Sequence, residues 1–227
     1  MNNNIQSVFA ECLLKTNLSE KRKSILRAGL AIFSTRGFSS TTIMDISRMT
    51  GIEEKEILVQ FKDKDQILKS IMNLIFEFVV PKLEHDFIAL IENQKFDDLS
   101  EFLHFIIKNR IIFALQNEGQ ILILIQESLK YKSVMDKINR HLFFISSSKV
   151  AHQIKYFQSI NEIINIPVQR VIQYIFSIVS GFIFQIVITR RSNVSNKQIN
   201  IWVDEATKIL VRGLSPKSNN YQGGSLH

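Results

Sequence analysis

The sequence predicts an all-α protein, a small N-terminal three-helix helix-turn-helix unit followed by a larger helical body. Three observations predict it. Only 8 Gly and 3 Pro interrupt 227 residues, too few breakers for a turn-rich β-protein. Apolar residues recur at i, i+3 and i+4 over long Ile/Leu/Phe/Lys/Glu runs, the helical period rather than the alternation of strands. Two short amphipathic stretches near the N-terminus meet at Thr50-Gly51, a turn compatible with a helix-turn-helix.

Ile5, Val8, Phe9, Cys12 and Leu13 share one helical face, so residues 1–18 read as an extension carrying a short helix. Residues 19–68 read as the helix-turn-helix domain. Ser19 is placed to cap a helix with Ile25, Ala28, Gly29, Ile32 and Phe33 on one face. Gly37 ends that helix in a left-handed conformation, and Phe38 packs back on it. Thr42 and Asp45 have the spacing of a capping box at the next helix, which stops at Gly51. A third helix over 53–60 buries Ile57 and Leu58, and Phe61 closes the cluster. Asp63 caps a fourth helix through Ile67, Leu68, Ile71, Leu74, Ile75 and Phe78, with a kink or break at Pro81.

Residues 69–214 read as one body with helices near 97–116, 119–130, 133–163, 167–190 and 197–212. Residues 215–227 lack periodicity and read as a disordered tail.

The formal net charge is +7, which invites a nucleic-acid partner, yet residues 1–68 hold 10 Lys/Arg against 8 Asp/Glu. Charge alone does not locate a DNA-binding face. Cys12 is the only cysteine, which excludes an intrachain disulfide or a cysteine-cluster metal site and fits a reducing cytosol. MNNNIQSVFAEC lacks the basic and apolar regions of a secretory signal, so a cytoplasmic protein is expected. Abundant Asn, Ile and Lys suggest an AT-rich, bacterial genome.

The run from Arg22 to Leu68, with ILRAGLAIFSTRGFSSTTIMDIS, then TGI, then the aromatic of QFKDKDQIL, resembles the N-terminal domain of the TetR family of bacterial transcriptional regulators. The resemblance implies a DNA-binding unit of three helices, a fourth helix leading to an effector-binding and dimerisation domain, and a cytoplasmic homodimeric repressor. By position it implies DNA contacts from Arg22, Thr41, Thr42, Arg48, Glu53, Lys55, Glu56, Gln60 and Lys64. Thr42 would set a helix N-terminus at a phosphate and Lys64 would meet a phosphate as a point charge. Lys21, Arg22 and Lys23 would form a basic arm. A solvated helix face is the alternative for each lone cation.

The recognition helix departs from the family pattern. GIEEKEILVQF has Glu53 where Ser or Thr is common, Glu56 at a usual Thr, Leu58 at the aromatic and Gln60 at the His. Two readings follow. The glutamates favour the helix dipole and can accept from a cytosine amine. Alternatively, DNA binding is weakened or lost and the fold serves as a ligand-binding or partner-binding protein.

For the body, the resemblance implies a small-molecule effector held among the middle helices. Phe102, Phe105, Phe113 and Phe144 with Arg110, Gln126, Tyr131 and His152 are the pocket candidates, and such a pocket suits a lipophilic effector. Core packing is the plainer reading of the aromatic stripe. Residues 171–189 carry no charge and approach the length of a membrane span. Gln173, Ser177, Ser180, Gly181 and Gln185 interrupt that surface and favour a dimer interface over a membrane helix. Tyr174, Ser177, Gly181, Gln185 and Trp202 are its candidate residues, with Trp202 anchoring the rim. The five His are scattered, and no metalloprotease, nucleophile-elbow or phosphate-loop motif occurs. A non-enzyme with no metal and no cofactor is expected.

Overall fold

The computed structural model describes residues 4–146, 149–189 and 194–216, with the side chains of 139, 141–146 and 189 excepted. The described residues form helices and connecting turns without strands. They divide into two compact units, Met1–Asp86 with Gln116–Asn139, and Phe87–Leu115 with Arg140–His227. The segment 116–139, which the sequence pattern groups with the body, therefore belongs to the first unit.

In the first unit, α1 spans Ile5–Leu14, and Asn4 caps it by accepting from the Ser7 amide. Ile5, Val8, Phe9 and Leu13 bury the expected face. The Ile5 amide donates to Asn117 Oδ1 at 2.7 Å, tying the start of α1 to a buried side chain. Cys12 sits half-buried on this helix, and burial raises its thiol pKa above the ordinary value.

Helix α2 (Glu20–Arg36) is capped by Ser19 and ends at Gly37. Gly37 has φ 86° and ψ 152°, a positive φ as expected, although its ψ is extended and not left-handed helical. The Phe38 ring does fold back edge-on against Phe33, centroids 5.1 Å apart. Helix α3 (Ile43–Thr50) carries the complete Thr42–Asp45 capping box, and Gly51 leaves it at φ 71° and ψ 9°. Helix α4 (Glu54–Gln60) begins after Glu53, which makes no side-chain cap. It buries Ile57 alone. Leu58, expected inside, is 47% exposed, because a helix of seven residues can turn only one narrow face to the core.

Helix α5 (Lys64–Leu74) starts at the Asp63 cap. It passes into a π turn at Ile75–Val79 and then α6 (Val80–Glu92). The expected break near Pro81 is thus a widened turn ending at Val79, and Pro81 takes the second position of α6, where a missing amide costs little. The extra residue also carries Phe78 out of the apolar stripe, to 40% exposure. Helix α8 (Glu118–Lys130) packs on α2 so closely that a Cβ at Gly119 would lie 2.1 Å from the Ser34 carbonyl oxygen. The unit closes with the start of α9 (Lys132–Ser146).

The second unit contains the end of α6, α7 (Leu99–Gln116, to Leu115), α10 (Lys149–Ser159), α11 (Val168–Thr189) and α12 (Asn196–Leu214). The helix expected over 133–163 corresponds to α9 and α10, which flank residues 147–148 outside the described set, and it ends earlier, at Ser159. Phe102, Leu103, Ile107, Ile111, Ile154, Phe157, Val203 and Ala206 form a nearly solvent-free core. Outside that core, Glu162 accepts from the Leu99 amide at 2.7 Å, and the Ile164 amide donates to the Leu214 carbonyl at 2.8 Å.

Within α11, Val168–Ile188 is long and apolar enough to cross a membrane by length and composition alone. One face, with Val171, Ile175, Val179, Ile186 and Val187, is buried, so the helix is two-faced and not apolar all round in its environment.

Candidate nucleic-acid interface

Helices α2, α3 and α4 place the candidate DNA residues, and the structure sorts them into bracing groups and outward-facing groups. Arg22 is a brace. Its Nη1 donates to the Gln60 carbonyl at 2.9 Å and its guanidinium lies 4.3 Å from the Phe61 ring centroid. It fastens the end of α4 to the first turn of α2. The other two cations of the expected basic arm are engaged as well. Lys21 pairs with Glu56 at 2.8 Å and Lys23 with Glu20 at 2.9 Å.

Lys64 is the second brace. Its Nζ donates to the carbonyls of Phe38 and Thr41, both at 2.9 Å, and reaches Ser39 O at 3.4 Å. An ammonium has three protons, so these carbonyls take its full donor capacity. The ring of Phe38 lies 4.5 Å away. Lys64 therefore holds the α2–α3 turn against the start of α5, where the resemblance implied a phosphate contact. Thr41 is buried at 1% exposure and its hydroxyl donates to the Gly37 carbonyl at 2.8 Å.

Thr42 is exposed, but its hydroxyl accepts the Asp45 amide while its own amide and hydroxyl donate to Asp45 Oδ2 at 2.9 and 2.8 Å. The backbone N–H of Thr42, then its hydroxyl, hold the Asp45 carboxyl below its ordinary pKa, with Arg36 and Arg48 contributing. Asp45 also accepts from Arg36 Nη1 at 3.2 Å.

The outward-facing set is smaller. Arg48, Glu53, Lys55 and Glu56 are exposed, Gln60 is half-buried, and the Arg48 guanidinium lies against Met44 Sδ. Lys55 makes no ion pair among the described residues. Glu56 is neutralised locally by Lys21, which leaves Glu53 and Glu54 as the uncompensated acids of α4. Sequence reasoning missed the apolar part of this surface. Leu58 and Val59 on α4 are 47% and 77% exposed, and Met44 and Met49 on α3 are 45% and 58% exposed. Its only sequence signal is that Leu-Val follows Ile57 directly, so three adjacent residues cannot share one helical face.

Residues 25–71 match the sequence model of bacterial regulatory proteins, tetR family. Over these residues the chain carries a domain similar to that of the tetR family. A relative from Staphylococcus epidermidis, the biofilm operon icaADBC HTH-type negative transcriptional regulator IcaR, is 25% identical over 138 residues, 60% of this chain and 69% of the relative. Among solved structures, a protein of Mesorhizobium loti assigned to the TetR family superposes with a TM-score of 0.67 at 13% identity, covering 88% of this chain and 100% of that one. FadR from Bacillus subtilis, solved in complex with stearoyl-CoA, superposes with a TM-score of 0.57 at 18% identity, covering 84% and 98%. At these identities the structural likeness extends the TetR fold over the helical body.

The remaining candidates fall in both units. In the second unit, Phe102 is fully buried between Phe96 and Phe157, with centroids 5.2 and 5.5 Å away. Phe105 packs on Phe96 at 5.5 Å. The Arg110 guanidinium lies over Phe87 at 3.7 Å, with Phe113 at 5.2 Å. His152 is exposed. Gln126 and Tyr131 are exposed residues of the first unit, and the Phe144 side chain lies outside the described residues. Tyr174, Ser177, Gly181 and Gln185 face outward along α11, and a Cβ at Gly181 would meet nothing within 4 Å. Trp202 does not sit at a rim. It is 8% exposed and packs on Phe182 at 5.9 Å, because the α11–α12 contact already uses its face of α12. Among the described residues, no group of His, Cys, Asp or Glu has the arrangement of a metal site.

Proposed function

We propose that this protein is a homodimeric, ligand-responsive repressor of the TetR family that reads DNA with α4. The outward projection of Lys55, Leu58 and Val59 from a helix whose end is braced by Arg22, beside an α2–α3 turn braced by Lys64, carries the reading. A recognition helix needs such a fixed base, since base contacts discriminate only from a held position. The exposed aliphatic groups suit thymine methyls in the major groove, and Glu53 and Glu54 suit cytosine amines. Arg48 and Lys55 are the cations left for phosphates.

Dimerisation is supported by the outer face of α11. Tyr174, Phe184 and Ile188 are 46%, 53% and 52% exposed there, and Gly181 leaves room for a second backbone. Ile209 on α12 is 62% exposed. Two copies would present two α4 helices to half-sites about 34–36 Å apart, or a multiple of that spacing. A lipophilic effector in the aromatic second unit is supported by its Phe-rich interior and by the acyl-CoA bound to the FadR relative. Effector and operator binding are then linked equilibria, each weakening the other by the same factor.

Selection from random DNA duplexes at low salt tests this reading. The expected result is an enriched pseudo-palindrome rich in thymine at positions that Leu58→Ala or Val59→Ala relaxes. Recovery of no palindrome sinks the repressor reading. It then favours a TetR-fold ligand- or partner-binding protein, consistent with the two uncompensated glutamates of α4.

A further inference from the structure

A cleft of about 460 Å³ lies wholly within the first unit, between the start of α5 and the α8–α9 junction. Its volume is that of a small-molecule site. Three features of its lining specify a ligand. The first is Glu127, whose side chain is 8% exposed. Its Oε1 accepts from Lys130 Nζ at 2.9 Å, while Oε2 accepts no hydrogen bond from any described residue. That oxygen keeps access to the cleft, and a carboxylate with a free acceptor position there favours a cationic donor entering it. The second is an apolar floor of Leu68, Met72 and Val134, which are 3%, 5% and 8% exposed. The third is the Tyr131 ring, half-exposed on the lining, a surface on which an ammonium or an apolar chain can rest.

The other charges narrow the class. Lys62 and Lys69 stand exposed on the lining, and Asp63 and Asp65 near them are exposed too, so their fields are screened and nearly cancel. Lys137 is bound to Asn73 Oδ1 at 2.9 Å. A multivalent cation would face three lysines, and an anion would face the buried Glu127. We propose that this cleft is a binding site for an organic monoammonium compound with an apolar body, its ammonium on Glu127 Oε2 and its chain over Leu68, Met72 and Val134. The site is separate from the aromatic interior of the second unit and stands whether or not α4 binds DNA.

The test uses the full chain without DNA, with ¹³C-methyl-labelled methionine, and n-octylammonium as probe. Saturable binding that shifts the Met72 methyl signal is expected, with n-octanoate and spermidine giving no saturable shift there. Glu127→Gln keeps the shape and removes the charge, and weakens n-octylammonium binding by about tenfold or more. Tyr131→Ala, at an exposed position, weakens it by a smaller factor and secures the test if the Glu127 variant fails to fold. Equal binding of octanoate, or saturable shifts confined to other methionines, overturns the proposal. So does undiminished binding by both variants.

Discussion

Both units have apolar cores, and they differ in what is added to them. In the first, long cations are turned inward onto backbone carbonyls. Lys64 spans the α2–α3 turn and Arg22 the end of α4, so two side chains fix how these segments are held. In the second, the core is a continuous apolar cluster around Phe102, Phe157 and Val203, with few polar groups in it. Directional bonds to carbonyls define a geometry, whereas apolar burial defines a volume and tolerates many shapes. A unit that must present a fixed helix and a unit that must accommodate something variable would differ in this way.

The largest expected effect lies in the second unit. Phe102→Ala deletes a fully buried ring between two others and should cost about 3–5 kcal/mol of stability by denaturant titration. A loss under about 1 kcal/mol would mean that apolar burial around Phe102 does little to hold this unit, and the contrast between the units would fall. Next, Lys64→Met keeps the stem and removes the ammonium, leaving the Phe38 and Thr41 carbonyls without their donor. About 1–3 kcal/mol is expected, with faster hydrogen exchange around α3. Unchanged stability with uniformly weaker DNA binding would return Lys64 to the phosphate.

Thr42→Ala removes the capping hydroxyl of α3 and should cost about 1 kcal/mol. The pH dependence of the same box sharpens the point. Asp45 has a lowered pKa in the folded chain, so its contribution is complete above the unfolded value of about 3.9. It is lost as the pH falls from there through the folded value, which exchange of the α3 amides below pH 4 would follow. Asp45→Asn should flatten that dependence. The smallest stability effect is at Lys21. Its exposed pair with Glu56 is worth roughly 0–1 kcal/mol, yet Lys21→Ala frees a third carboxylate on α4. DNA affinity should fall more than stability, and a change in stability alone would remove Lys21 from the interface.

What could be read in the sequence was local. The caps at Ser19, Thr42 and Asp63 and the turn at Gly51 were legible because each depends on a residue type and a spacing of a few positions. The direction in which a long side chain turns was not. Arg22 and Lys64 match by position the cations of a DNA-binding surface, but their partners lie 38 and 23–26 residues away, and only the fold brings them within reach. Leu58 and Trp202 were misplaced for the converse reason. Hydrophobicity indicates a wish to be buried, while the neighbouring helix decides which apolar face is covered. The Glu127 cleft joins segments some sixty residues apart, one of them within a stretch read as part of the body, and no motif announces it.

Cys12 can serve as a built-in clock. It is the sole thiol of the chain, on a helix whose first amide is bound to Asn117, and burial keeps it protonated beyond its ordinary range. Thiolate reagents therefore react with it slowly while α1 is docked, and at the rate of a free cysteine once α1 detaches. One colour-forming reagent thus times the undocking of α1 without introducing a label. Asn117→Ala should quicken that clock, and a ligand that tightens the first unit should slow it.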